Sequence, residues 1–182
     1  MSEISDRYRR LSAGFTDRVA AVPDNRWASP SPCEGWSARD LVGHVVGTQA
    51  MFLGLVDRPM PDGPSVEDDP ATAWAHASSV VQADLDDPER ATFAFTSFFG
   101  ETTFEAAIDR FLNFDLVVHG WDLARATGGD ERVDPADAER VIAGVAAFGD
   151  SIRSPQACGP EVAVAPDADL TTRMLALVGR QA

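Results

Sequence analysis

The chain has 182 residues, 45% hydrophobic and 24% charged, with a formal net charge of -14, which fits one globular domain spanning residues 1–182 with a sizeable core. A polyanionic surface repels phosphate backbones and anionic lipid headgroups, so nucleic acid and membrane are excluded as expected partners and a small-molecule substrate is left. All 15 basic residues are arginine, and without a primary amine there is no Schiff-base chemistry, no P-loop lysine and no lysine general base.

The N-terminal MSEISDRYRR has no apolar stretch of the kind a signal peptide needs and reads as a helix start. From Ile4 to Val22, Leu11, Phe15, Val19 and Val22 recur at steps of three and four, predicting an amphipathic helix that ends before Pro23. PDNRWASPSPCEGW follows as a surface connection. Ser37, with Asp40 three positions on, is a variant capping box. The helix it opens should run towards Val56, with Leu41, Val45, Thr48, Phe52 and Leu55 in one stripe. After the loop DRPMPDGPSVEDDP, a third helix is predicted over about Ala71 to Leu85.

ATFAFTSFFGETT nearly alternates Phe and Thr, which suits either a short hairpin or an extended crossover. The helical period returns from Phe104 to Thr127 and stops at Gly128-Gly129. Asp134-Pro135 opens another helix carrying Val141, Ile142, Val145 and Phe148. The tail ends in a short helix with Leu170, Met174, Leu175 and Leu177. The fold class expected is all-α, a four-helix bundle with a short extended or hairpin crossover and a C-terminal helical appendage. Cys33 and Cys158 form no CxxC pair, and no apolar run is long enough to span a bilayer. A reduced, cytoplasmic protein is therefore expected.

The chemistry concentrates in FDLVVHGWDLARATG, Phe114 to Gly128. At about 100° per residue, a wedge centred on Ile108 collects Phe111, Leu112, Asp115, His119, Asp122, Leu123 and Ala126. An ionised carboxylate buried without a partner is costly, and a cation resolves that cost. Side chains at i and i+4 have Cβ atoms about 5–6 Å apart, so Asp115 and His119 can converge on one ion. A third ligand should come from a facing helix. His44, in RDLVGHVVG, is preferred over His76, which has no carboxylate at helical spacing. Two histidines and one carboxylate leave coordination positions open.

DLVGH and DLVVH are near-copies, so Asp40 precedes His44 as Asp115 precedes His119. Asp40 is already committed to the helix start, which favours a mononuclear centre with Asp40 at most behind the ligands. Asp122 either orients a ligand histidine through its second nitrogen or pairs with Arg125. Other readings weigh against these. Asp115 and His119 suit a plain buried ion pair, and His76 a hydrogen-bonded core histidine. Cys33 reads as a small hydrophobe under a loop, because Glu34 beside it argues against a reactive thiol. Trp27, Trp36 and Trp121 read as core or pocket wall, the last two lying close in sequence to the ligand motifs. GxSxG, GxGxxG and HExxH are absent from the sequence.

PCEGWSARDLVGHVVG, VVHGWDLARATG and the tail GPEVAVAPDADLTTRMLALVGR resemble the actinobacterial metal-binding proteins related to the mycothiol-dependent maleylpyruvate isomerase N-terminal domain, within the DinB/YfiT-like superfamily. The resemblance implies a DinB-like up-down-down-up four-helix bundle, often a homodimer, with a divalent metal held by a histidine of the second helix and an acid-x-x-x-histidine of a later one. Carried over, these are His44, Asp115 and His119. It also implies a low-molecular-weight thiol, of the mycothiol or bacillithiol kind, as co-substrate. The carboxylate here is aspartate where the isomerase resembles a glutamate ligand, and no counterpart of its sterol-carrier-like domain follows. Both count against carrying over the maleylpyruvate reaction itself.

Three functions are therefore weighed. The first is a divalent-metal-dependent thiol S-transferase or isomerase acting on a small electrophile, with zinc expected ahead of nickel, manganese or iron. The second is a non-catalytic metal or small-ligand binding protein on the same bundle. The third is a structural dimer with a buried polar network.

Overall fold

The computed structural model describes residues 2–97, 100–153 and 157–182. It divides into two compact units, the first ending at Asp130 and the second covering Glu131–Ala182. Among the described residues the chain is mainly helical with one small hairpin.

In the first unit, α1 (Glu3–Ala20) is opened by Ser2, whose hydroxyl accepts from the Ser5 N–H at 3.2 Å, with Glu3 and Asp6 set against the positive end of the helix. A 3-10 turn at Asp24–Arg26 follows Pro23. α2 (Ala38–Gly54) begins with a full capping box. The Ser37 hydroxyl accepts from the Asp40 N–H at 3.2 Å, and the Asp40 carboxylate accepts from the Ser37 N–H at 2.8 Å. α3 (Pro70–Asp86) starts with proline in its first turn behind the Asp69 cap, and α4 (Pro88–Ala91) is a single turn. The Phe/Thr segment makes the hairpin, β1 (Ala94–Ser97) and β2 (Gly100–Thr103), antiparallel with Ala94 opposite Thr103.

The predicted helix from Phe104 to Thr127 is not uniform. α5 (Phe104–Ala107) passes through a π-helical segment, Ile108–Leu112, into α6 (Asn113–Thr127). Asp109 in this segment receives hydrogen bonds from Arg7 at 2.7 Å and from the Asn113 amide at 2.8 Å. A π turn widens the helix locally, so angles counted onward at a constant 100° drift after it. Gly128, at φ 76°, ends α6 in the left-handed conformation, where a side chain would be strained.

α1 packs on α3 and α6, and α2 packs on the same two helices. Tyr8, Phe15, Leu41, Leu53, Trp74, Leu85, Phe104, Ile108 and Leu112 are buried at the centre. Phe15 meets the Trp74 ring edge-on at 4.8 Å, and the Trp74 N–H donates to the Thr16 hydroxyl at 2.8 Å, so α3 is tied to α1 by packing and by a satisfied polar tip. At the other end of this helix pair, Ser5, Arg9 and Gln82 all donate to Asp86 and hold its carboxyl below the usual carboxylate range. The acidic loop between α2 and α3 is strapped down. Arg39 donates to the carbonyls of Val66 and Glu67 at 2.7 Å each, and His76 bonds the Pro61 carbonyl at 3.0 Å.

In the second unit, α7 (Pro135–Phe148) and α8 (Leu170–Leu177) pack together. Arg153 donates to the carbonyls of Gly159 and Leu177, at 2.8 and 2.6 Å. Gly179, at φ 79°, lies so close to Gly159 that a Cβ there would sit 3.0 Å from the Gly159 Cα. Among the described residues, no helix is long and apolar enough to cross a membrane.

Candidate metal centre

α6 delivers Asp115 and His119 one turn apart, and α2, packed beside it, delivers His44. One ligand atom from each of these three side chains lies within 4.8 Å of the other two. The Nε2 atom of His44 is 3.7 Å from Oδ2 of Asp115, and the two imidazole rings stand edge to face with centroids 4.9 Å apart. Burial is graded across the group. His119 is buried, whereas the His44 and Asp115 side chains keep 32% and 24% of their surface. The cluster therefore opens to solvent on one side and closes on the other.

Behind His119 sits Asp122, fully buried, with Oδ2 3.0 Å from the imidazole Nδ1. That contact fixes the ring orientation and leaves Nε2 as the nitrogen for an ion. Burial alone pushes the His119 imidazole down. Hydrogen bonds to Asp122 and Cys33, with the charges of Asp115 and Asp122, reverse this and raise it to about 10. The donor set fits a divalent cation: two imidazoles and a carboxylate, close together, with one face open for further ligands. Without an ion, the buried cluster is held by the proton on His119 that balances the carboxylates around it.

The other candidate residues divide. Trp36 stands over the group, its ring 4.8 Å from His44 and 6.3 Å from His119. Trp121 is buried under the Arg125 guanidinium, 4.8 Å from its ring. Asp40 is exposed and its carboxylate is taken up by Ser37, so it is not brought to the cluster. His76 is hydrogen-bonded as expected, but it lies half-buried on α3, bonded to the loop ahead of that helix, rather than in the core.

Cys33 packs partly buried against the core, as a small hydrophobe under a loop should, and it also has polar neighbours that the sequence did not indicate. Its Sγ lies 3.5 Å from Oδ2 of Asp122, and Cys33, His119 and Asp122 bring their donor atoms within 4.8 Å of one another. Neither Cys33 nor Cys158 is in a disulfide. A further difference concerns α6, where Leu116, Val117, Val118 and Trp121 are buried as well as His119, Asp122 and Leu123 of the predicted wedge, so burial extends around most of the helix.

Comparison with known proteins agrees with these motifs. The family model described as the mycothiol maleylpyruvate isomerase N-terminal domain matches residues 8–124, which include all five residues of the two overlapping clusters. Two uncharacterized proteins of Mycobacterium tuberculosis, from strains H37Rv and CDC 1551 / Oshkosh, are each 30% identical over 149 residues, covering 81% of this chain and 81% of theirs. No solved structure matches. With more than half its length matched by that one model, the chain belongs to the family of the mycothiol maleylpyruvate isomerase N-terminal domain.

Proposed function

We propose that this protein is a divalent-metal-dependent enzyme, a thiol S-transferase or isomerase that brings a small thiol of the mycothiol type to a small electrophilic substrate. His44, Asp115 and His119 would hold the ion, zinc ahead of nickel, manganese or iron, and Asp122 would orient His119. The observation that carries this reading is the gathering of two imidazoles and a carboxylate within 4.8 Å, with Asp122 braced behind the buried histidine. The family membership supports the thiol as co-substrate.

When bound, a divalent cation lowers the pKa of a thiol or water that coordinates it. The chain supplies the rest. Asp115 offsets one of the two positive charges, and Asp122 keeps the His119 lone pair aimed at the open face. The half-exposed side chains of His44 and Asp115 admit the thiol, and Trp36 gives the opening an apolar wall that limits water. The thiol sulfur forms a bond to the electrophilic carbon. In transfer, the leaving group departs with the electron pair. In isomerisation, the electron pair of the double bond moves to the neighbouring carbon, the bond rotates, and the pair re-forms the double bond as the same sulfur is expelled.

The same reading takes α1, α2, α3 and α6 as an up-down-down-up four-helix bundle, supported by the pairing of α1 and α2 with the same two neighbours. It places the protein in the cytoplasm as a homodimer acting on a small molecule, with no nucleic-acid or membrane partner. The test is metal analysis of protein purified without chelators, followed by conjugation assays with monochlorobimane and a panel of small thiols. Stoichiometric metal and thiol-dependent turnover lost in His44→Ala are expected. Bound metal with no turnover across the panel would leave a binding protein instead, and no metal would remove the reading altogether.

A further inference from the structure

We infer that Cys33, His119 and Asp122 form a second cation position, selective for strongly thiophilic ions such as cadmium, which draws on the same imidazole as the His44–Asp115 side. The competition for His119 rests on the proposed ligand role of His44 and Asp115, whereas the thiolate position stands on its own geometry.

The loop ahead of α2 holds Cys33 in a fixed place. Pro30 pairs with Ser37, the Ser31 N–H donates to the Trp36 carbonyl at 2.8 Å, and the Trp36 N–H donates to the Cys33 carbonyl at 3.0 Å. The Cys33 N–H in turn donates to the Ser31 hydroxyl at 3.2 Å. This backbone carries the sulfur to 3.5 Å from Oδ2 of Asp122, the same oxygen that lies 3.0 Å from Nδ1 of His119. A tetrahedral zinc ion with Zn–S near 2.3 Å and Zn–N and Zn–O near 2.0–2.2 Å needs ligand-to-ligand edges of roughly 3.3–3.5 Å. The two contacts of Asp122, at 3.5 and 3.0 Å, are thus close to the edges of such a site, and all three donors lie within 4.8 Å of one another.

Charge and softness separate the two positions. Thiolate and carboxylate together neutralise a dication, which suits the buried end of the cluster where Asp122 is fully enclosed. The His44–Asp115 side contributes one negative charge, lies nearer solvent and has no sulfur, so it suits borderline ions such as zinc or nickel. A neutral imidazole has one lone pair. An ion on Nδ1 therefore leaves the proton on Nε2 and takes His119 away from the first position. One ion binds at a time, and a thiophilic one withdraws the imidazole from the catalytic side. Of the three ligands, Cys33 is the least enclosed, being half-buried.

Cobalt(II) and cadmium(II) titrations of metal-free His44→Ala protein test this directly. We expect one equivalent bound with a thiolate-to-metal charge-transfer band, and loss of that band and of the bound ion in the Cys33→Ser/His44→Ala double variant. Circular dichroism verifies folding, and Cys33→Ala replaces the serine variant if that one misfolds. His44→Ala protein that binds neither ion, or binds without the band, overturns the proposal. If the His44–Asp115 reading alone is wrong, wild type and His44→Ala show the same band and affinity. If the thiolate position alone is wrong, wild type binds with no band and His44→Ala loses the ion.

Discussion

The imidazole Nδ1 of His119 and the Oδ2 of Asp122, three residues further along α6, lie 3.0 Å apart, and both side chains are buried. Both candidate cation positions depend on this pair, since it decides which imidazole nitrogen is available. Asp122→Asn keeps the size of the side chain but offers a weaker, neutral partner. The expected outcome is a fall in metal affinity of about 10–100-fold with unchanged helicity. Competition against a chelator of known affinity measures it, and an unaltered affinity would contradict the orienting role.

His119→Ala should abolish metal binding, since both clusters include this residue. The helices rest on the core around Phe15 and Trp74, so the far-ultraviolet circular dichroism spectrum should remain helical. Loss of helicity together with loss of metal would mean that the polar cluster is needed for folding first.

The raised pKa of His119, about 10, has a definite consequence for the metal-free protein. The unfolded chain releases that proton near its ordinary value of about 6.5, while the folded chain keeps it. The stabilisation is therefore complete below about pH 6.5 and is lost as the pH rises through about 10. Thermal unfolding in the presence of a chelator should show the advantage of wild type over His119→Gln shrinking across that window. A cation has to displace the same proton, so metal affinity should climb as the pH rises. A pH-independent difference between the two proteins would refute the proton assignment.

Phe15 is buried and packed edge-on against Trp74. Phe15→Ala deletes the ring and leaves a cavity between α1 and α3, at an expected cost of about 3–5 kcal/mol. Urea denaturation with an unchanged slope and a lowered midpoint is the check. A loss under about 1 kcal/mol would mean that the neighbouring side chains collapse into the space.

His44, Asp115 and His119 were legible as a group because helix periodicity is local. Aspartate and histidine four residues apart must share a face, and only two other histidines could complete the set. The caps were legible for the same reason: Ser37 with Asp40, Asp134 with Pro135, and Gly128 each act over a few residues. Cys33 was not, since 89 residues separate it from Asp122 and only the path of the loop brings them together. The π segment has no residue signature in Ile-Asp-Arg-Phe-Leu, because it is a shift in backbone hydrogen bonding. The predicted wedge on α6 was also too uniform: Asp122 is enclosed, yet Asp115 keeps a quarter of its surface.

Trp36 gives the centre an optical reporter of its own. Its indole is held by the loop ahead of α2 within 4.8 Å of one imidazole and 6.3 Å of the other. Copper(II) or nickel(II), being paramagnetic, quenches an excited indole at such range, so occupancy can be followed by intrinsic fluorescence without a dye. Trp36→Phe removes that part of the signal, and what remains measures the emission of the three other tryptophans.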